Sequence, residues 1–172
     1  MKILVAYFSQ TGNTEKIAKM FLEEASRSHE AVMKKIDEVD VGGLGAYDLV
    51  FLGGPIHGGG LAAPLKGMLD QLPASPPYAL AAFITHAAEA YLRENFEKGI
   101  AYIEGIARDK GIRYQGCFDC TGKLDPAIWP LVQKMQKLSD NDWEELMARV
   151  SPHPDAEDEK NARAFVRKVL AP

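Results

Sequence analysis

The chain has 172 residues, 47% of them hydrophobic, which suits one domain with a substantial core. Its 24 acidic and 20 basic residues leave a net charge of −4, which argues against a general binder of nucleic-acid backbones. Two cysteines are too few for a disulfide scaffold, no apolar run approaches the ~20 residues that span a bilayer, and the N-terminus shows no signal-peptide pattern, so the expectation is a soluble cytoplasmic protein with no membrane segment.

Taken in chain order, strand and helix patterns alternate. Lys2–Phe8 reads as a buried strand, and Asn13–Ala25 as a helix with Ile17, Met20, Phe21 and Ala25 on one face. Ala31–Ile36 is a short second strand. Leu49–Leu52 is a buried third strand, ended by Gly53-Gly54-Pro55. Ala62–Leu72 has helical spacing with Pro64 in its first turn. Leu80–Thr85 is a fourth strand, Ala88–Lys110 a helix weakened by Gly99 and Gly105, and Ile112–Phe118 a fifth strand. Strands separated by helix-length segments predict βαβ units and a parallel sheet covered on both faces, an α/β doubly wound fold. A less regular stretch follows, from about 121 to 150, with short helices expected from Asp125 towards Lys137 and over Ser139–Arg149. Asp155 is a candidate N-cap for a final helix ending at Leu170, and the acidic run Asp155–Glu159 suits that helix's positive end.

In such a sheet, ligands sit beyond the C-terminal ends of the strands. Ser9–Thr14 leaves the first strand and runs into a helix N-terminus, where free N–H groups favour an anion. The loop has no Lys or Arg and one glycine, so it matches neither a nucleoside-triphosphate loop nor a dinucleotide fingerprint. Its hydroxyls can donate to one terminal phosphate. They can equally cap the helix. The glycine-rich loop from Gly54 to Gly60 and the loop Thr85–Glu89 leave the third and fourth strands at the same edge, so a flat ring could lie between them.

The string from Val5 to Ala18 (VAYFSQTGNTEKIA) resembles the hydroxyl-rich phosphate loop of the flavodoxin family, and the first ~120 residues follow that family's five βα units. The resemblance implies a five-stranded sheet in the order 2-1-3-4-5 with FMN as cofactor. The phosphate would rest on Ser9, Gln10, Thr11, Gly12, Asn13 and Thr14. The isoalloxazine would lie between Pro55, Ile56, His57, Gly58 and Gly59 on one side and Thr85, His86, Ala87 and Glu89 on the other. Gly58 is the residue whose carbonyl would turn to accept the N5–H of the semiquinone. The implied role is electron transfer, one or two electrons at a time, between a reductase and an acceptor. The chain departs from the family pattern in lacking a Trp/Tyr pair for the ring. It offers His57 and His86, with Tyr91 further on. A protonated imidazole near N1 would favour the negatively charged reduced ring.

No side chain reads as an acid, base or nucleophile for a committed substrate. One alternative is an NAD(P)H-dependent FMN or quinone reductase of the same fold, its nicotinamide pocket roofed by Thr121–Arg149. A second is a flavin-free interaction module. Trp129 and Trp143 could form a lid over the flavin, although packing of the inserted segment explains them more simply. Cys117 and Cys120, three apart on a strand, point to opposite faces and read as packed core thiols. The cysteines and four histidines show no metal-ligand spacing. His153, between two prolines, has no evident role.

Overall fold

A computed structural model describes residues 1–58, 60–87 and 93–171. Its strands are β1 (Lys2–Tyr7), β2 (Glu30–Lys35), β3 (Leu49–His57), β4 (Gly60–Leu61), β5 (Ala79–His86) and β6 (Arg113–Thr121). Its helices are α1 (Asn13–Ala25), α2 (Ala63–Gln71), α3 (Arg93–Asp109), α4 (Trp129–Gln136), α5 (Asp140–Val150) and α6 (Ala156–Leu170). Five strands pair in parallel in the order β2-β1-β3-β5-β6, the predicted topology. The two-residue β4 turns back antiparallel on the end of β3, pairing Ile56 with Leu61.

Period-two alternation divides the core between the two faces of the sheet. Ile3, Val5 and Tyr7 of β1 face α1 and α6, with Ile17, Phe21, Ala162 and Val166. Leu4 and Ala6 face the α2 and α3 side, with Leu65, Leu69 and Ile103. Phe21 is the hub of an aromatic cluster, with ring centroids 4.7 Å from Phe83 and 5.0 Å from Phe51. Arg167 reaches across from α6 to the buried Glu24 of α1 (3.0 Å), and Arg163 to Glu23 (2.6 Å).

Gly53, Gly54 and Pro55 do not end the third strand, which continues to His57. The two glycines are there for packing. A methyl on Gly53 would overlap the Phe83 ring, and one on Gly54 would come within 2.9 Å of Leu65. β1 stops opposite Gly53, so Pro55 lies past that neighbour, where a missing N–H breaks no ladder bond. The fifth parallel strand also runs further than Phe118, to Thr121. It carries a bulge between the pairs Leu80–Tyr114 and Ala82–Cys117, at Gly116 with φ +99°. Beyond the bulge Cys117 packs on the α3 side and Cys120 on the α1 side, as opposite-face thiols should. Burial holds both thiols well above the ordinary cysteine range.

The stretch from about 121 to 150 has a small core of its own, formed by Leu124, Val132, Trp143, Leu146, Met147 and Val150. Trp129 meets Trp143 edge-on at 6.2 Å, and its indole N–H donates to the Leu124 carbonyl (3.2 Å), so both tryptophans pack this stretch. His153 acquires a role that its sequence context did not show. Its Nδ1 lies 2.5 Å from Asp158 Oδ2 in the cap of α6, where Asp155 Oδ1 accepts from the N–H groups of Glu157 and Asp158.

Candidate functional site

A cavity of about 280 Å³ opens at the C-terminal edge of the sheet. Its wall includes Ser9, Gln10, Thr11, Asn13 and Thr14 from the first loop, Pro55, Ile56, His57 and Gly58 from the end of β3, and Thr85, His86 and Ala87 from the end of β5. The three segments singled out in the sequence therefore do converge. Gly59 and Glu89, like Ala88 and Tyr91, lie outside the described residues.

Two hydroxyls of the first loop each accept a hydrogen bond from within the loop. Gly12 takes the left-handed conformation (φ +90°, ψ −12°) that glycine tolerates, and it is the N-cap of α1; Asn13 is the first helical residue. The Gly12 N–H donates to Ser9 Oγ (3.1 Å), and the Asn13 carboxamide donates to Thr11 Oγ1 (3.2 Å). Each hydroxyl thereby accepts a bond and keeps its own O–H to donate. The first-turn N–H groups of α1 add unpaired donors and the positive end of the helix dipole.

Thr14 and Thr85 differ from the other hydroxyl residues. Both are almost fully buried, at 1% and 2% exposure, and their hydroxyls bond each other at 2.8 Å. One proton is consumed in that bond, so the pair has a single O–H left for the cavity and ties the first loop to the end of β5.

At the other end of the cavity the Gly58 carbonyl accepts from Asn95 Nδ2 of α3. His57 is exposed and meets Phe8 edge-on at 6.2 Å. His86 is mostly buried, with its ring 4.1 Å from Phe96 and its Nε2 3.2 Å from Asp119 Oδ2 on β6. Ala87 packs against the small core that holds Leu124, Val132 and Trp143.

Sequence reasoning missed Asn95, Phe96, Leu124, Asp125, Ile128 and the pair Gly122 and Lys123, all of which line the cavity. The signal for Gly122 and Lys123 was available, because the end of the fifth parallel strand reaches the same sheet edge as the other three. Gly122 N–H donates to the His86 carbonyl (2.7 Å), and a methyl on Gly122 would come within 3.1 Å of Asn13 Nδ2. Asn95 and Phe96 were hidden inside a helix read as continuous from Ala88.

The site thus has an anion-binding end made of neutral donors beside a slot walled by glycine, proline and imidazole. The flavodoxin domain family matches residues 4–167. The chain belongs to that family. Among its relatives, a flavodoxin-like domain-containing protein, BilS, of Clostridioides difficile is 29% identical over 180 residues, covering 99% of this chain and 97% of the relative. Oxidised flavodoxin 2 of Bacillus cereus has a similar structure, with 23% identity, a TM-score of 0.69 and coverage of 98% and 97% of the two chains. A Streptococcus pneumoniae flavodoxin gives the same TM-score and coverage at 14% identity. In this flavodoxin-family chain, among the described residues, no helix is long and apolar enough to cross a membrane.

Proposed function

We propose that the protein binds FMN in this cavity and passes electrons, one or two at a time, between redox partner proteins. The observation that carries this reading is the first loop, where Ser9 and Thr11 each accept one hydrogen bond from within the loop and keep an O–H to donate to an anion. Membership of the flavodoxin family supports it. The residues present fit the group: Ser9 to Thr14 would hold the phosphate, and the segments Pro55–Gly58 and Thr85–Ala87 would flank the ring. Bound FMN would supply the redox chemistry, while the chain supplies position and polarity. The cavity, at about 280 Å³, lies just below the ~300–1,000 Å³ usual for small-molecule clefts. A flavin seated here would keep part of its ring outside, and an exposed edge is what a partner protein needs for electron exchange.

One observation favours a second reading, an NAD(P)H-dependent FMN or quinone reductase. Leu124 and Ile128, at the start of the insertion, line the cavity and could roof a nicotinamide beside the ring. The test is an absorbance titration of flavin-free protein with FMN, followed by anaerobic addition of NADPH or NADH. Saturable one-to-one binding supports the flavin readings, and its absence leaves only a flavin-free interaction module. Rapid bleaching by the nicotinamide alone would favour the reductase. Bleaching only after an added reductase protein would favour the carrier.

A further inference from the structure

The phosphate end of the cavity has donors but, within the loop Ser9–Thr14, no positive charge. An FMN phosphate carries close to two negative charges at neutral pH. Lys16, in the first turns of α1, is already engaged, with its ammonium 2.7 Å from the Pro154 carbonyl and 2.9 Å from Glu159. The one carboxylate on the described wall, Asp125, caps the turn that follows it by accepting from the Ala127 N–H (2.9 Å), and it would oppose an anion.

Lys123 stands apart. Among the described residues it is the one lysine or arginine that lines the cavity. Its backbone is pinned on both sides: its N–H donates to the His153 carbonyl (3.0 Å), and its carbonyl accepts from the Asn13 carboxamide of the phosphate loop (2.8 Å). Its side chain is exposed, and its ammonium makes no ion pair or hydrogen bond among the described residues. A fixed root beside the loop with a free cationic tip is an arrangement that can add a charge-assisted hydrogen bond to the loop's neutral donors.

We propose that Lys123 supplies the counter-charge for the terminal phosphate of the flavin and makes the site discriminate FMN from its unphosphorylated form, riboflavin. This deepens the FMN reading and rests on it. The isoalloxazine and ribityl contacts are common to both ligands, so the lysine acts on the difference between them.

The experiment compares FMN and riboflavin affinities, by fluorescence quenching, for wild type, Lys123→Met and Lys123→Arg. Lys123→Met should weaken FMN by about five- to tenfold, between the best exposed ion pairs and the weakest hydrogen bonds to a charged group, and leave riboflavin unchanged. Lys123→Arg should keep most of the FMN affinity, and added salt should weaken FMN more in wild type than in the Met variant. Unchanged FMN affinity in Lys123→Met overturns the inference while leaving the FMN reading intact. Equal weakening of both flavins also overturns it, because the lysine would then be acting on the loop and not on the phosphate. A wild-type protein that binds neither flavin refutes the functional reading itself, and this inference with it.

Discussion

Gly53→Ala probes the arrangement that lets β3 deliver Pro55–Gly58 to the cavity. The added methyl would point to the α1 side of the sheet and sit far inside 3.0 Å of three carbons of the Phe83 ring. Phe83 is fully buried and leans on Phe21, which is itself packed by Phe51, Phe118 and Phe165. The ring has no free volume to move into, and a central strand cannot shift without breaking ladders on both sides. Overpacking a tight core costs about 1–3 kcal/mol, and this geometry belongs at the upper end, about 2–3 kcal/mol or more. For a chain of this size that is a fall in Tm of roughly 4–12 °C. Gly67→Ala is the control. It lies within α2 with nothing within 4 Å of the new methyl, and should stabilise by about 0.5–1 kcal/mol through helix propensity and unfolded-state entropy. Urea unfolding followed by circular dichroism reads both variants. In a Phe83→Leu background the penalty of Gly53→Ala should shrink by about 1 kcal/mol or more, since contacting residues couple. A Gly53→Ala protein as stable as wild type, or one equally destabilised in both backgrounds, would refute the packing argument.

Other consequences are equally direct. Thr14→Val and Thr85→Val each strand a buried hydroxyl and should cost about 1–3 kcal/mol in urea unfolding, whereas the double variant should recover part of the loss; additive losses would count against the paired hydroxyls. Asp155 is held below its ordinary pKa of 3.8, first by the backbone N–H of Asp158. Its folded value lies below its unfolded one, so its contribution is present above about pH 4 and is lost as pH falls through the lower folded value. Asp155→Asn should therefore flatten the acid limb of a plot of urea midpoint against pH, and an unchanged limb would assign acid sensitivity elsewhere. Ellman titration of native protein should find neither Cys117 nor Cys120 reacting quickly and both reacting in denaturant, since burial disfavours both thiolates; a fast native thiol would contradict the packing of β6.

The parallel sheet and the convergence of three loops were legible because buried parallel strands read as unbroken apolar runs alternating with helices, while the strand order came from the resemblance carried by the first loop and the five βα units. What misled was glycine. Gly53 and Gly54 look like punctuation in one dimension, yet the reason for them is Phe83 and Leu65, thirty and eleven positions away in the sequence. The first loop was recognisable from its hydroxyls, but the orientation of Thr14 was not, because the partner that turns its hydroxyl inward sits on another strand. Asn95 was invisible for the same reason, and although the end of the fifth parallel strand pointed to the position of Lys123, its tie to the first loop could not be read from the sequence. Their relevance comes from Gly58 and Asn13, which only folding places next to them. His153 showed its purpose only once Asp158 was found 2.5 Å away.

The hydrogen bond from the Lys123 N–H to the His153 carbonyl has a wider meaning. The chain leaves β6 and comes back to within one hydrogen bond of that point before entering α6, so the residues between Lys123 and His153 hang from a closed stem with their own hydrophobic nucleus. Such a cassette can be lengthened, shortened or exchanged at a loop-closure cost that grows only with the logarithm of its length. Grafting a different cassette onto this stem would therefore reshape the rim of the cavity, where Leu124, Asp125 and Ile128 lie, while the five parallel strands and the loop Ser9–Thr14 remain as they are.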